Sequence, residues 1–172
     1  MILPAQLIRA RCLNAINPLI TPFVERSVFA GMTYGLSAAG YDLRIDQDVK
    51  ISPTTYRGSF LLASTIERFQ MPTDLLAVVH DKSTWARRGL AVQNTVVEPG
   101  WGGYLTLELS NYGDDVLIIE RGTPIAQIVF HVLVEPTEEP YHGRYQNQDP
   151  GPQAARLVSN ESGDIVEQSD GE

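Results

Sequence analysis

A single glutamate sits at odds with its neighbours in this sequence. In Tyr104-Leu105-Thr106-Leu107-Glu108-Leu109-Ser110-Asn111 the leucines alternate strictly, so Leu105, Leu107 and Leu109 share one face of an extended strand. Glu108 projects from the other face with Thr106 and Ser110. Glutamate is a poor strand former, and two readings are open. It is a solvated strand residue, or a carboxylate on a pocket or subunit interface, where partial burial would suit it to acid/base work. Lys82, Arg87 and Arg88 form a second group, clustered within seven positions with Asp81 as the one acid among them. They are solvated charges beside a turn, or a local cationic pocket fit for a small polyanion.

Several other catalytic designs lack their parts. Cys12 is the only cysteine, so neither an internal disulfide nor a zinc site built on a Cys-x-x-Cys pair can form. His80, His131 and His142 are scattered without metal-ligand spacing and read as structural or surface residues. No Gly-x-Ser-x-Gly elbow supports a serine triad. No Walker or dinucleotide-type glycine loop is present.

The elements that must position these groups are mostly strands. Short apolar segments at residues 41–45, 49–51, 60–63, 75–79, 90–97, 104–111, 116–120 and 125–134 alternate with turn formers such as Ser52-Pro53, Pro72-Thr73-Asp74, Pro99-Gly100 and Gly122-Thr123-Pro124. This spacing predicts a mainly β barrel, sandwich or jelly roll, because the long helical periods of a bundle or a doubly wound sheet are missing. Helix is expected only near the N-terminus, at residues 4–16, and in one short internal piece at 82–88. Pro18 and Pro22 stop the first of these.

With 172 residues the chain suits one domain, expected over residues 1–152. Residues 153–172 read as a flexible tail; beyond Leu157 it carries five acids and no base. A net charge of −8 argues against a general nucleic-acid binder. No apolar run reaches membrane-helix length, the N-terminus lacks the pattern of a signal peptide, and one cysteine fits a cytoplasmic protein.

Three blocks, in order and at matching spacing, resemble the trimeric dCTP deaminase/dUTPase family. The first is Asp81-Lys82-Ser83-Thr84-Trp85-Ala86-Arg87-Arg88-Gly89-Leu90. The second runs from Glu98-Pro99-Gly100-Trp101 through Leu107-Glu108-Leu109-Ser110-Asn111 to Ile125-Ala126-Gln127. The third is Pro140-Tyr141 followed by Arg144-Tyr145-Gln146-Asn147-Gln148. Tyr41-Asp42-Leu43-Arg44 and Leu62-Ala63-Ser64-Thr65-Ile66-Glu67 also fit, so the resemblance covers roughly residues 40–150.

The resemblance implies a distorted jelly roll of the trimeric dUTPase-like type. It implies dCTP deamination to dUTP and ammonia without zinc, Mg²⁺ arriving on the triphosphate, and active sites shared within a homotrimer. Glu108, Ser83 and Arg87 then correspond to catalytic positions. Lys82, Ser83, Thr84, Arg87, Glu98, Tyr141, Arg144 and Gln148 correspond to nucleotide contacts, the last three in a closing segment at about residues 140–150. Lys82 replaces the usual arginine, Glu98 stands where the family usually has aspartate, and the stretch between Gly89 and Pro99 is about two residues shorter than in common bacterial deaminases. Those departures keep three other readings open: a dUTPase, a bifunctional enzyme, or a non-catalytic nucleotide-binding regulator on the same fold.

Overall fold

Alternating apolar and polar residues become strands almost throughout the computed structural model, which describes residues 1–54 and 59–157. The expected N-terminal helix is confined to Ala5–Cys12 (α1). It ends early because the Asn14 side chain accepts hydrogen bonds from the amides of Ile16 and Asn17, drawing the chain into a turn ahead of Pro18. Three strands follow that the apolar pattern does not announce: β1 (Ile20–Thr21), β2 (Arg26–Phe29) and β3 (Met32–Leu36). Next come β4 (Tyr41–Arg44), β5 (Val49–Ile51), β6 (Phe60–Gln70) and β7 (Leu75–Asp81). A single helical turn, α2 (Ser83–Ala86), precedes β8 (Leu90–Val92), β9 (Val96–Val97), β10 (Gly102–Asn111), β11 (Leu117–Ile119) and β12 (Pro124–Val132). The acidic tail beyond residue 157 lies outside the described residues. None of the described helices is long and apolar enough to cross a membrane.

The strands pair antiparallel in two principal sheets, β1-β6-β10-β8 and β2-β3-β4-β12-β7-β9, with a small β11-β5 ribbon. Both sheets contribute to one buried cluster that includes Leu107 and Phe69 from the first and Leu43 and Phe130 from the second. Full burial of each such side chain stabilises the fold by roughly 1.5–3 kcal/mol. The architecture is mainly β with two short helices, as the sequence pattern predicts.

Strand β6 reaches well past its expected end at residue 63 because its polar middle is satisfied inside the protein. Glu67 is fully buried, and its carboxylate takes the Arg44 guanidinium at 2.7 Å and the Arg44 amide at 2.9 Å. Thr65 donates its hydroxyl to the Glu67 carbonyl at 2.8 Å and accepts the Leu105 amide at 3.1 Å. These contacts tie β6 to β4 and to the strand that carries Glu108.

Candidate active site

The pleat of β10 sorts its side chains as its sequence demands. Leu105, Leu107 and Leu109 are buried, while Thr106 and Glu108 project from the other face. Antiparallel register sets Glu108 opposite Leu62 of β6 and Ser110 opposite Phe60. Thr106, Glu108, Leu62 and Phe60 line a cavity of about 490 Å³, a volume within the range of small-molecule sites. Glu108 is therefore on a cavity wall, and one of its carboxylate oxygens accepts the Thr95 hydroxyl at 3.1 Å.

The far wall comes from the segment after Pro140. The Tyr141 amide donates to the Pro99 carbonyl at 2.8 Å, and the Trp101 indole N–H donates to the Tyr145 carbonyl at 2.7 Å. Gln146 reaches Gly100 and Gly102, and the Tyr104 amide donates to the Gln148 carbonyl at 3.0 Å. Gly103 is required at that crossing. Its φ is +137°, and a Cβ there would lie 2.5 Å from the Gln148 nitrogen. The segment thus brings Tyr141, Tyr145 and Gln148 onto the cavity, and the Gln148 amide nitrogen donates to the Thr106 hydroxyl.

Of the positions singled out in the sequence, Glu98, Glu108, Tyr141 and Gln148 share this cavity. Lys82, Ser83, Thr84, Arg87 and Arg144 are not among its lining residues. Ser83, Thr84 and Arg87 are exposed around α2, which the buried Trp85 anchors through a 2.8 Å hydrogen bond from its indole N–H to the Pro124 carbonyl. Lys82 turns inward, its ammonium 2.7 Å from Asp42, whose other oxygen takes the Gln127 amide. Arg144 is exposed and bonds the Arg156 carbonyl, while Arg156 donates to the Arg144 carbonyl and lies over the Tyr145 ring.

Thr95, Thr106, Gln153 and Ala155 also line the cavity, with no site role expected from their sequence pattern. Thr106 could have been found from strand parity, since it shares the Glu108 face. Gln153 and Ala155 belong to a stretch read as tail, yet the Gln153 amide donates to the Thr106 hydroxyl at 2.9 Å. No local signal reveals that contact.

This fold, with a carboxylate-bearing cavity between a β-sheet and a C-terminal segment, is of the dUTPase-like type. Native dUTPase from EIAV is similar, with a TM-score of 0.50 and 21% identity over 61% of this chain and 84% of that one. The 2'-deoxycytidine 5'-triphosphate deaminase of Agrobacterium tumefaciens is similar at a TM-score of 0.56 and 18% identity, over 77% of this chain and 48% of that one. Residues 53–133 match the family model described as dCTP deaminase-like. The chain is 36% identical over 164 residues to a dCTP deaminase of Acidobacterium capsulatum, covering 78% of this chain and 90% of the relative. It is also 36% identical to that of Campylobacter fetus subsp. fetus, over 77% and 87% of the two chains. The chain belongs to the dCTP deaminase family.

Proposed function

We propose that this chain hydrolyses dCTP to dUTP and ammonia, with Glu108 as the proton shuttle. The observation that carries the reading is the position of Glu108: a carboxylate on the wall of a cavity of about 490 Å³ that also presents aromatic and amide groups. Water adds at C4 of the cytosine ring. Glu108 takes a proton from that water and delivers it to N3, then takes the proton of the new 4-hydroxyl and passes it to the departing amine. The C4–N4 bond breaks, ammonia leaves, and a 4-oxo group remains. One carboxylate can serve as base and acid in turn. Tyr141 offers a flat surface for base or sugar, and the Gln148 amide offers polar contacts to the base.

Among the described residues, the cavity wall carries Glu98 and Glu108 but no lysine or arginine. A bound triphosphate needs cations beyond these described wall residues, and in this reading a second copy supplies them. Ser83, Thr84 and Arg87 are exposed and, among the described residues, make no side-chain hydrogen bond or ion pair, which suits them to serve a neighbour's cavity. Phe60 and Val96, at 55% and 49% exposure, give that neighbour apolar surface to cover. The assembly is a homotrimer with three shared sites, in which Ser83 orients the water and Arg87 with Arg144 binds phosphate. Mg²⁺ enters as part of the substrate, on the phosphates, and Lys82 steadies α2 through Asp42.

Glu98 in the same cavity favours a second reading. A carboxylate there could activate water at the α-phosphate and add dUTP diphosphatase activity. The two are separated by residue. Glu108→Gln keeps shape and hydrogen-bonding reach but cannot shuttle a proton, so dCTP binding should persist while ammonia release falls at least ~100-fold. Near-normal turnover would leave Glu108 a solvated strand residue.

A further inference from the structure

We infer that Thr95 is a positioning residue for Glu108, and that the short connection between β8 and β9 is built to deliver it. This inference rests on the proposed role of Glu108. A glutamate on an open cavity wall has three rotatable side-chain bonds and many accessible orientations. Here the Thr95 hydroxyl, 3.1 Å from Oε2, selects one of them. With Oε2 held, Oε1 is the oxygen left to meet the attacking water and the ring nitrogen.

The connection is fixed at three points, so the hydroxyl is fixed as well. The Gln93 amide donates to the carbonyl of Glu108 itself at 3.0 Å, tying the turn to the residue it serves. The Thr95 amide donates to the Gln93 carbonyl at 2.9 Å, closing the turn tightly. The Thr95 carbonyl accepts the Val79 amide at 3.0 Å, anchoring the far side to β7. Threonine is β-branched and stiff at χ1, so a fixed backbone also fixes its hydroxyl direction. A longer connection would have more freedom at the position that Thr95 holds. The shortened stretch thus couples backbone and side chain of Glu108 to a single three-residue turn.

The test compares Thr95→Val, Thr95→Ser and Glu108→Gln in the full chain, with melting temperatures taken first. Valine keeps the β-branched shape and removes the hydroxyl; serine keeps the hydroxyl. Thr95→Val should melt close to the parent, lower kcat for dCTP by about 10-fold to 100-fold, and leave KM within about threefold, since misorientation acts on the reacting geometry. Thr95→Ser should recover most of the lost kcat. Adding Thr95→Val to Glu108→Gln should cause little further loss, because the hydroxyl acts through the carboxylate. Normal kcat in Thr95→Val alongside a disabled Glu108→Gln would overturn this inference alone. Normal turnover in Glu108→Gln would overturn the reading beneath it. A raised KM with unchanged kcat in Thr95→Val would make Thr95 a ligand contact instead and overturn the positioning role.

Discussion

Gln148 crosses β10 at Gly103, the two residues forming a parallel bridge, with the Gln148 carbonyl 3.0 Å from the neighbouring Tyr104 amide. This contact sets the last described part of the chain against the strand that carries Glu108. Removing the segment should then empty one wall of the cavity and strip the Tyr141 packing and the Trp101 hydrogen bond while leaving both sheets in place. A chain ended after Glu139 is expected to keep its β-sheet circular dichroism while dCTP binding and turnover weaken. A chain ended after Leu157 should retain both, since Gln153 and Arg156 keep their contacts with Thr106 and Tyr145. Equal losses from both truncations would contradict the role of this segment.

The pair of Arg44 and Glu67 joins the two sheets at a largely buried site. Glu67 is fully buried, and the Arg44 side chain is 15% exposed. Replacing Glu67 with leucine leaves a largely buried guanidinium without its partner and should destabilise the fold by about 3–5 kcal/mol in urea unfolding. Combining it with Arg44→Met should recover part of that loss. A single variant as stable as the parent would show that the pair does not anchor β6.

Alkali should unfold the protein through two buried acids. Desolvation pushes the Cys12 thiol from its ordinary 9.0 up to about 12, and burial followed by the nearby Glu67 charge also raises the Tyr41 phenol. Both groups hold their protons more tightly in the folded chain than in the unfolded one. Their stabilisation is complete below about 9 and is lost as pH rises towards about 12. The urea midpoint should therefore fall across that window, and by less in Cys12→Ala. A midpoint that stays flat there would contradict the burial of these groups. Cys12 should also resist a thiol reagent until the protein unfolds.

Deamination should continue in a zinc-selective chelator and weaken when Mg²⁺ is withdrawn, because the free triphosphate then brings uncompensated charge to an acidic cavity. Activity abolished by zinc chelation and restored by zinc alone would contradict a proton shuttle acting without zinc.

The strands legible in the sequence were those whose own alternation decides their fate. β5 falls where its apolar run lies, and β10 presents Glu108 and Thr106 on the face that parity assigns. Residues 20–36 gave no such signal, because Pro22, Gly31 and Gly35 interrupt the pattern and much of the β2-β3 hairpin is exposed on both faces. β6 looked short because Ser64, Thr65 and Glu67 are polar, and their partners on β4, β10 and the C-terminal segment are distant in sequence. The run at 90–97 is two strands, broken where Gln93 and Thr95 turn back toward Glu108. Grouping of Glu98, Glu108, Tyr141 and Gln148 likewise depends on long-range pairing. Only their resemblance to an ordered family pattern brought them together beforehand.

The central claim, that the cavity around Glu108 deaminates dCTP, is tested most directly by supplying dCTP and dUTP separately and measuring ammonia, pyrophosphate and dUMP. Glu98 lines the same cavity, and in the second reading proposed above it is the carboxylate that serves the α-phosphate. It is one methylene longer than the aspartate usual there, a displacement large enough to lower the rate where positioning is tight. The expected result is ammonia and dUTP from dCTP, with little pyrophosphate or dUMP from either nucleotide. Ammonia together with pyrophosphate would add the second activity, and Glu98→Gln should then stop pyrophosphate release while sparing ammonia. Pyrophosphate from dUTP with no ammonia from dCTP would contradict the account.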